Sequence, residues 1–383
     1  MNHTSPKQIG DYNKNQMLSI LRERGPTSRV ELSRLLEISP TAVSRNTSKL
    51  LKNGIIRECG ADRSIMGRKP VLMELCGDFC YVLAADIVGG AIKVALADLF
   101  GTIIKYHEEP TQHANGAQAV LKQLLAALRN IITEAGVPTE KIWFATIGTS
   151  GIFDQDTGKS RFAYFLDGWE DIDVRKEVFD SISIETLIEN DVDLDVIGES
   201  WKGVGKDYAD ILYVKLGQGL AARVVLRNGL IRGEHKMAGE IGHMMPGLTQ
   251  EKVVNYEEML CNDAVSRQYR DLAGVNTTNR ISDLCTLAES GDEAAVTVIR
   301  NLLDQFALVL LNSVTVLDPQ VIILGGDACS FKEGEITSLK QRIERHYPLS
   351  QNIILSRLDK KACLYGAIKM GLLKVEERIT DIW

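Results

Sequence analysis

The chain has 383 residues, 45% of them hydrophobic and 25% charged, with a formal net charge of −7. That length provides for two or three domains with sizeable cores, and the composition is the ordinary balance of a soluble globular protein. No apolar run approaches the roughly 20 residues of a membrane span, and the polar start MNHTSPKQIGDYNKNQ lacks a signal-peptide core. The seven scattered cysteines, without a C-x-x-C, read as free thiols of a reduced, cytoplasmic protein.

The charge is uneven. Residues 1–75 carry +6 and the remainder −13, so a basic head sits on an acidic body and is the part expected to meet a polyanion. Within the head, NKNQMLSILRERG (13–25) spaces Met17, Leu18 and Leu21 as an amphipathic helix that stops at Gly25-Pro26. Ser28 then stands as an N-cap with Glu31 at the capping-box position, and Val30, Leu32, Leu35 and Leu36 supply a second apolar face. Pro40 opens a third helix through Val43, Leu50 and Leu51 that ends at Asn53-Gly54. Helix, tight turn, helix places the later helix in a DNA major groove. Thr41, Ser44, Arg45 and Lys49 fall on its exposed face and are side chains that bond bases and phosphates. Beyond it, IIRECGADRSIMGRKPVLMEL reads as two short strands around a loop, a β-wing with Arg63, Arg68 and Lys69 at its tip or base. A three-helix packing module with solvated basic residues is the alternative; the wing and the charge excess favour double-stranded DNA.

From Tyr81 the body alternates apolar strands with helices. YVLAADIVGGAIKVALADLFGTIIKY reads as three strands punctuated by Gly89-Gly90 and Gly101, followed by a helix over 115–135 and a buried strand, KIWFATIGTSGIFD. The pattern returns in ISIETLIENDVDLDVIGESWKG and ILYVKLGQGLAARVVLRNGLIRG, then in an apolar helix over 294–317 that leads to DPQVIILGG. Two halves that each open on a glycine-bearing hairpin predict two similar α/β lobes around a cleft. Within the second, AGEIGHMMPG (238–247) holds Glu240 and His243 three residues apart. Buried together, such a pair ligates a metal, holds a polar ligand or runs acid–base chemistry.

SPTAVSRNTSKLLKNGII, GRKP, DIVGG, IENDVDLDVIGE, RGEHKMAGEIGHM and NSVTVLDPQVIILGG resemble, in order and spacing, the ROK family (repressors, open reading frames, kinases), the winged head marking its repressor branch. The resemblance covers nearly the whole chain, and AGEIGHM is its most specific part. It implies an N-terminal winged helix-turn-helix followed by a two-lobed actin-like ATPase (ribonuclease H-like) domain, an α/β architecture overall. The expected divisions are 1–78 for the head, 79–190 for an N-terminal lobe completed by a helix over 364–380, and 191–363 for a C-terminal lobe. In the family's kinases an Asn-Asp pair lies at the sugar hydroxyl with the aspartate as general base, which corresponds to Asn190-Asp191; Glu240 and His243 correspond to further sugar contacts.

The departures from the pattern are equally informative. Kinases of the family carry Asp-x-Gly-Gly-Thr and Leu-Gly-Thr-Gly-Ile-Gly-x-Gly, whose small residues let backbone amides approach phosphates. Here Val88 and Ala91 stand at the first Gly and the Thr, and Gln218, Ala221 and Arg223 at the Thr and two glycines of the second loop. Arg223 either fills the phosphate site or binds an anion. The family's histidine joins three downstream cysteines around a structural zinc; only Cys261 is present here, so His243 is expected to make a polar contact and no metal or cofactor is expected. Glu257 or Glu258 corresponds to a downstream sugar-contacting glutamate, and Phe165 or Leu166 replaces an asparagine before Trp169.

The expected function is therefore a cytoplasmic, DNA-binding repressor of carbohydrate genes, not an enzyme. Its partners are a double-stranded operator and a sugar or sugar-phosphate effector, without a membrane, and the chain is expected to be a homodimer or homotetramer. An ATP-dependent sugar kinase with a DNA-binding head is the rival, and a regulator that answers to a protein partner is a third reading.

Overall fold

A computed structural model describes residues 6–61, 70–88, 90–154, 157–163, 166–246, 254–358 and 360–381. The chain divides into two compact units. One comprises residues 1–149, 153–189 and 367–383, and the other residues 150–152 and 190–366.

The first unit begins with α1 (Pro6–Arg24), which starts about two turns before the apolar periodicity because its opening residues are polar and carry no face signal. Gly25, at φ +76°, closes it with an N–H to the Leu21 carbonyl. A short strand, β1 (Thr27–Ser28), leads into α2 (Arg29–Leu36), where Ser28 Oγ accepts from the Glu31 amide. The capping box is only half made, since the Glu31 carboxylate accepts from Arg34 at 2.6 Å instead. Val30 corrects the expected apolar face: it is 74% exposed and Leu32 is the fully buried residue of this eight-residue helix. α3 (Pro40–Lys52) has Ser39 as N-cap and buries Val43, Asn46, Thr47 and Leu50. Arg29 Nε donates to Thr47 Oγ1 (3.1 Å), tying α2 to α3. The wing strands β2 (Ile56–Ala61) and β3 (Val71–Leu75) pair antiparallel with Glu58 opposite Met73, and β1 adds a third strand along β3.

The body of this unit is a five-stranded sheet built from β4 (Tyr81–Asp86), β5 (Ala91–Ala97), β6 (Ile103–Pro110), β7 (Ile142–Thr149) and, after the small ribbon β8 (Ile152–Phe153) with β9 (Ser160–Arg161), β10 (Glu185–Asn190). Its strand order is β10-β7-β4-β5-β6, antiparallel across β4, β5 and β6 and parallel between β4 and β7. α4 (Ala117–Ala135) and α5 (Val174–Ile182) close one core around Leu83, Val94, Leu124, Leu128 and Trp169.

The second unit repeats the pattern. After α6 (Asp191–Trp201) come β11 (Ile211–Leu216), β12 (Leu220–Leu226) and β13 (Gly229–Ile231) as a meander, then α7 (Tyr256–Leu260), α8 (Asn262–Ala273), α9 (Ile281–Glu289), α10 (Glu293–Leu317), β14 (Val321–Gly326), α11 (Glu333–Glu344) and β15 (Ile353–Leu355). The sheet order is β13-β12-β11-β14-β15, with β11, β14 and β15 parallel. α10 is long and apolar enough to cross a membrane by length and composition. Its Val298, Leu302, Phe306 and Leu310 are instead the spine of this unit's core, and Arg300 and Asp304 mark its outer face. The last helix, α12 (Ala362–Asp381), begins in the second unit and ends in the first.

Candidate functional site

In the head, Thr41, Ser44, Arg45 and Lys49 all lie exposed on α3, on the side away from Val43, Thr47 and Leu50. One helix face thus offers two hydroxyls and two cations, the donor and acceptor types that meet base edges and phosphates. Arg63, Arg68 and Lys69 lie outside the described residues.

In the second unit, the residues expected at a sugar gather at the start of α6. Asn190 is its N-cap: Oδ1 accepts from the amides of Val192 (2.9 Å) and Asp193 (3.1 Å), while Nδ2 donates to the Gly151 carbonyl (3.0 Å). The sequence DVDLD puts Asp191, Asp193 and Asp195 in the first turns, where the helix dipole favours carboxylates, and all three are buried. Burying three carboxylates requires partners, and β11 and β12 supply them. Lys215 Nζ lies 2.7 Å from both Asp191 Oδ2 and Asp195 Oδ2.

Arg223 is the centre of the network. Its side chain is 3% exposed; Nε donates to Asp193 Oδ1, and Nη2 donates to Asn190 Oδ1 and to Glu240 Oε1, each at 3.0 Å. Arg232 reaches the other Asp193 oxygen at 3.2 Å. Burial opposes the charged guanidinium, yet the Asp193 and Glu240 carboxylates outweigh it and hold Arg223 above its usual range. Of the alternatives for this arginine, the network favours neither: the guanidinium is spent on the chain's own oxygens. Lys215, Asp193, Asp195 and Arg232 were not singled out from the sequence. The aspartates at alternate positions of DVDLD, next to a strand carrying an arginine on its buried side, were the available signal.

Glu240 and His243 do not act as one buried pair. Glu240 precedes a single turn of 3-10 helix (Ile241–His243) that ends on His243; the Glu240 carboxylate meets Arg223, while His243 is exposed, its backbone N–H on the Glu240 carbonyl. The family's zinc does not fit these residues. Residues 244–260 contain no further His or Cys, and among the described residues no three His, Cys, Asp or Glu side chains are set to hold a metal ion.

The loop between β11 and β12 is bordered by carboxylates. Glu257 Oε2 accepts from the Leu220 amide at 3.0 Å, and a Cβ on Gly219 would lie 2.8 Å from that oxygen. Asp327, paired with Arg280 at 2.8 Å and accepting from Asn262 Nδ2 at 2.7 Å, stands beside Gly217. The Leu220 amide is thus already taken by a carboxylate of the chain itself. In the first loop, Asp86 accepts from the Val88 amide and pairs with Lys93 at 3.1 Å. Glu258 is exposed, so Glu257 is the glutamate that faces inward. Leu166 and Trp169 are buried in the first unit's core, with Trp169 Nε1 donating to Thr149 Oγ1, and Phe165 lies outside the described residues.

Comparison with known proteins bears on both halves. The profile of the ROK family matches residues 82–372, and that of the winged helix-turn-helix DNA-binding group matches residues 11–57. The chain is similar to the xylose repressor of Caldicellulosiruptor bescii, 24% identical with 96% of each chain covered. It is also similar to the glucokinase of Thermotoga maritima, 22% identical over 78% of this chain and 98% of the other. Among solved structures, a ROK family transcriptional regulator, a homologue of the E. coli MLC protein, superposes with a TM-score of 0.81 at 21% identity, covering 97% of this chain and 98% of that one. With most of its length matched by the family's profile and a winged helix-turn-helix ahead of it, the chain belongs to the ROK family.

Proposed function

We propose that the chain is a DNA-binding transcriptional repressor of carbohydrate-metabolism genes. The observation that carries this reading is how far each similarity extends: the xylose repressor matches head and body together, whereas the glucokinase matches a share of the chain that the body alone accounts for. Thr41, Ser44, Arg45 and Lys49 are assigned to the operator, with Arg63, Arg68 and Lys69 of the wing beside them. Paired recognition helices suit a palindromic operator, so the working form is a cytoplasmic homodimer or homotetramer.

The body is read as a sensor that does not turn over ATP. Glu257 on the Leu220 amide and Lys215 at 2.7 Å from Asp191 support this, because phosphoryl transfer needs free amides for phosphate and a free carboxylate for the hydroxyl proton. Asn190, Asp191 and Glu240 are assigned to a sugar or sugar-phosphate effector, and His243 to its rim. A ligand there competes with Arg223 and Lys215 for the same oxygens, so binding and rearrangement of the network are one event. Electrophoretic mobility shifts with DNA from beside the chain's own gene, with and without pentoses, hexoses and their phosphates, test the reading. Specific DNA binding altered by one of these sugars is the expected result. Sugar phosphate formed in a coupled assay and abolished by Asp191→Asn would establish the kinase instead.

A further inference from the structure

The helix that carries the charge network at its start comes close to the backbone of α12 at two glycines. A Cβ on Gly198 of α6 would lie 2.1 Å from the Ala362 carbonyl oxygen, and one on Gly366 of α12 would lie 1.9 Å from the Leu194 carbonyl oxygen. At these two positions no side chain stands between the helices to absorb a shift. α6 and the first residues of α12 therefore move as one body.

The far end of α12 meets the head. Glu376 pairs with Arg22 Nη1 of α1, and Arg22 Nε donates to the Leu99 carbonyl at 2.9 Å. The two side chains are 3% and 6% exposed. A buried pair of this kind resists separation, because parting leaves two uncompensated charges away from water. α1 in turn packs on α2 and β3 of the winged domain. Among the described residues the other ion pairs of the head are more exposed: Arg29 with Glu58, Arg34 with Glu31 and Arg57 with Glu74.

We infer that α12 is the transmission element of the sensor, passing a rearrangement of the Asp193–Arg223–Glu240 network through the α6–α12 glycine contact and the Arg22–Glu376 pair to the DNA-binding head. This rests on the reading of the head as DNA-binding and of the network as the effector site, but its test needs no effector. Hydrogen exchange is followed in peptides from α6, α12 and α1 after Asp193→Asn, and separately after Arg223→Met, each of which unbalances the network. The same substitutions are then made in an Arg22→Met/Glu376→Leu background, which replaces both partners by apolar side chains and leaves no orphan charge. Arg22→Leu/Glu376→Met, which also removes both charges, stands in if that double variant does not fold.

With the pair intact, unbalancing the network should speed exchange about fivefold in α6, α12 and α1 alike. Without the pair, the α6 and α12 responses should persist and the α1 response should vanish. An α1 response of equal size in both backgrounds would overturn the inference, as would an undisturbed α1 beside a disturbed α6, or silence in α6 under both substitutions. Failure of every sugar in the binding panel would count against the effector assignment and leave this coupling result untouched.

Discussion

The head and the second unit treat their polar side chains in opposite ways. On α3 of the head, Thr41, Ser44, Arg45 and Lys49 are exposed while the opposite face holds the core. At the start of α6, chemically similar groups are turned inward and matched with one another: Asp191 and Asp195 with Lys215, Asp193 and Glu240 with Arg223. A surface that meets a polyanion presents its cations outward, since counterion release supplies the binding energy. A site that closes on its own charges has a resting state of its own, and a ligand must compete with it. On the proposed reading, the contrast is that between a recognition surface and a sensor.

The largest effect expected from breaking this contrast is in the buried network. Arg223→Met leaves the Asp193 and Glu240 carboxylates without their main counter-charge, and unfolding free energy should fall by about 3–5 kcal/mol in urea denaturation. A triple variant that also carries Asp193→Asn and Glu240→Gln should recover part of the loss. If Arg223→Met is as stable as the parent, the network does not hold the site.

Next in size is the head's surface. Arg45→Ala should leave stability within about 0.5 kcal/mol, as for an exposed side chain. It should weaken operator binding by about 1–3 kcal/mol if Arg45 reads a base. Equal loss on operator and random DNA would make it a phosphate contact. Ser39→Ala removes the hydroxyl that accepts from the Ala42 amide at 3.2 Å and should cost about 1 kcal/mol of stability in the same denaturation experiment.

The smallest effect is a pH dependence in the second unit. Burial raises the Glu199 carboxyl above its usual 4.5, while hydrogen bonds from Ser356 and the Val204 amide pull the other way. The native state thus binds this proton more tightly than the unfolded chain, so the stability it lends is full below pH 4.5 and is lost as pH rises through the folded value. Glu199→Gln, whose oxygen can accept from the Val204 amide while its NH2 donates to Ser356 Oγ, should flatten that part of the stability curve. An unchanged slope would show that Glu199 is not its source.

Much of the fold was legible in the sequence because its signals are local. Alternating apolar strands with glycine turns announced both sheets, and Ser28, Pro40 and Gly25 punctuated the head's helices where expected. What was illegible depends on distance along the chain or on weak periodicity. β1 is two residues long and exists only because β3, more than forty residues later, offers it an edge. Val30 lies in a helix too short for its burial pattern to be read. At the site, Asn190, Asp191, Glu240 and Arg223 could be picked out by resemblance, but their pairing could not: Arg223 and Asp193 are 30 positions apart. That His243 is exposed was not legible either, since spacing alone does not reveal that it ends a 3-10 turn capped by Glu240.

We propose that this ROK protein reads DNA rather than phosphorylating sugar, and the most direct test is selection of the whole chain on random DNA followed by footprinting. A palindromic sequence with half-sites about 10 base pairs, or a multiple of that, from centre to centre should be enriched, bound with strong salt dependence and lost in Arg45→Ala. No sequence enriched above random DNA, from protein that makes sugar phosphate in the coupled assay, would contradict it.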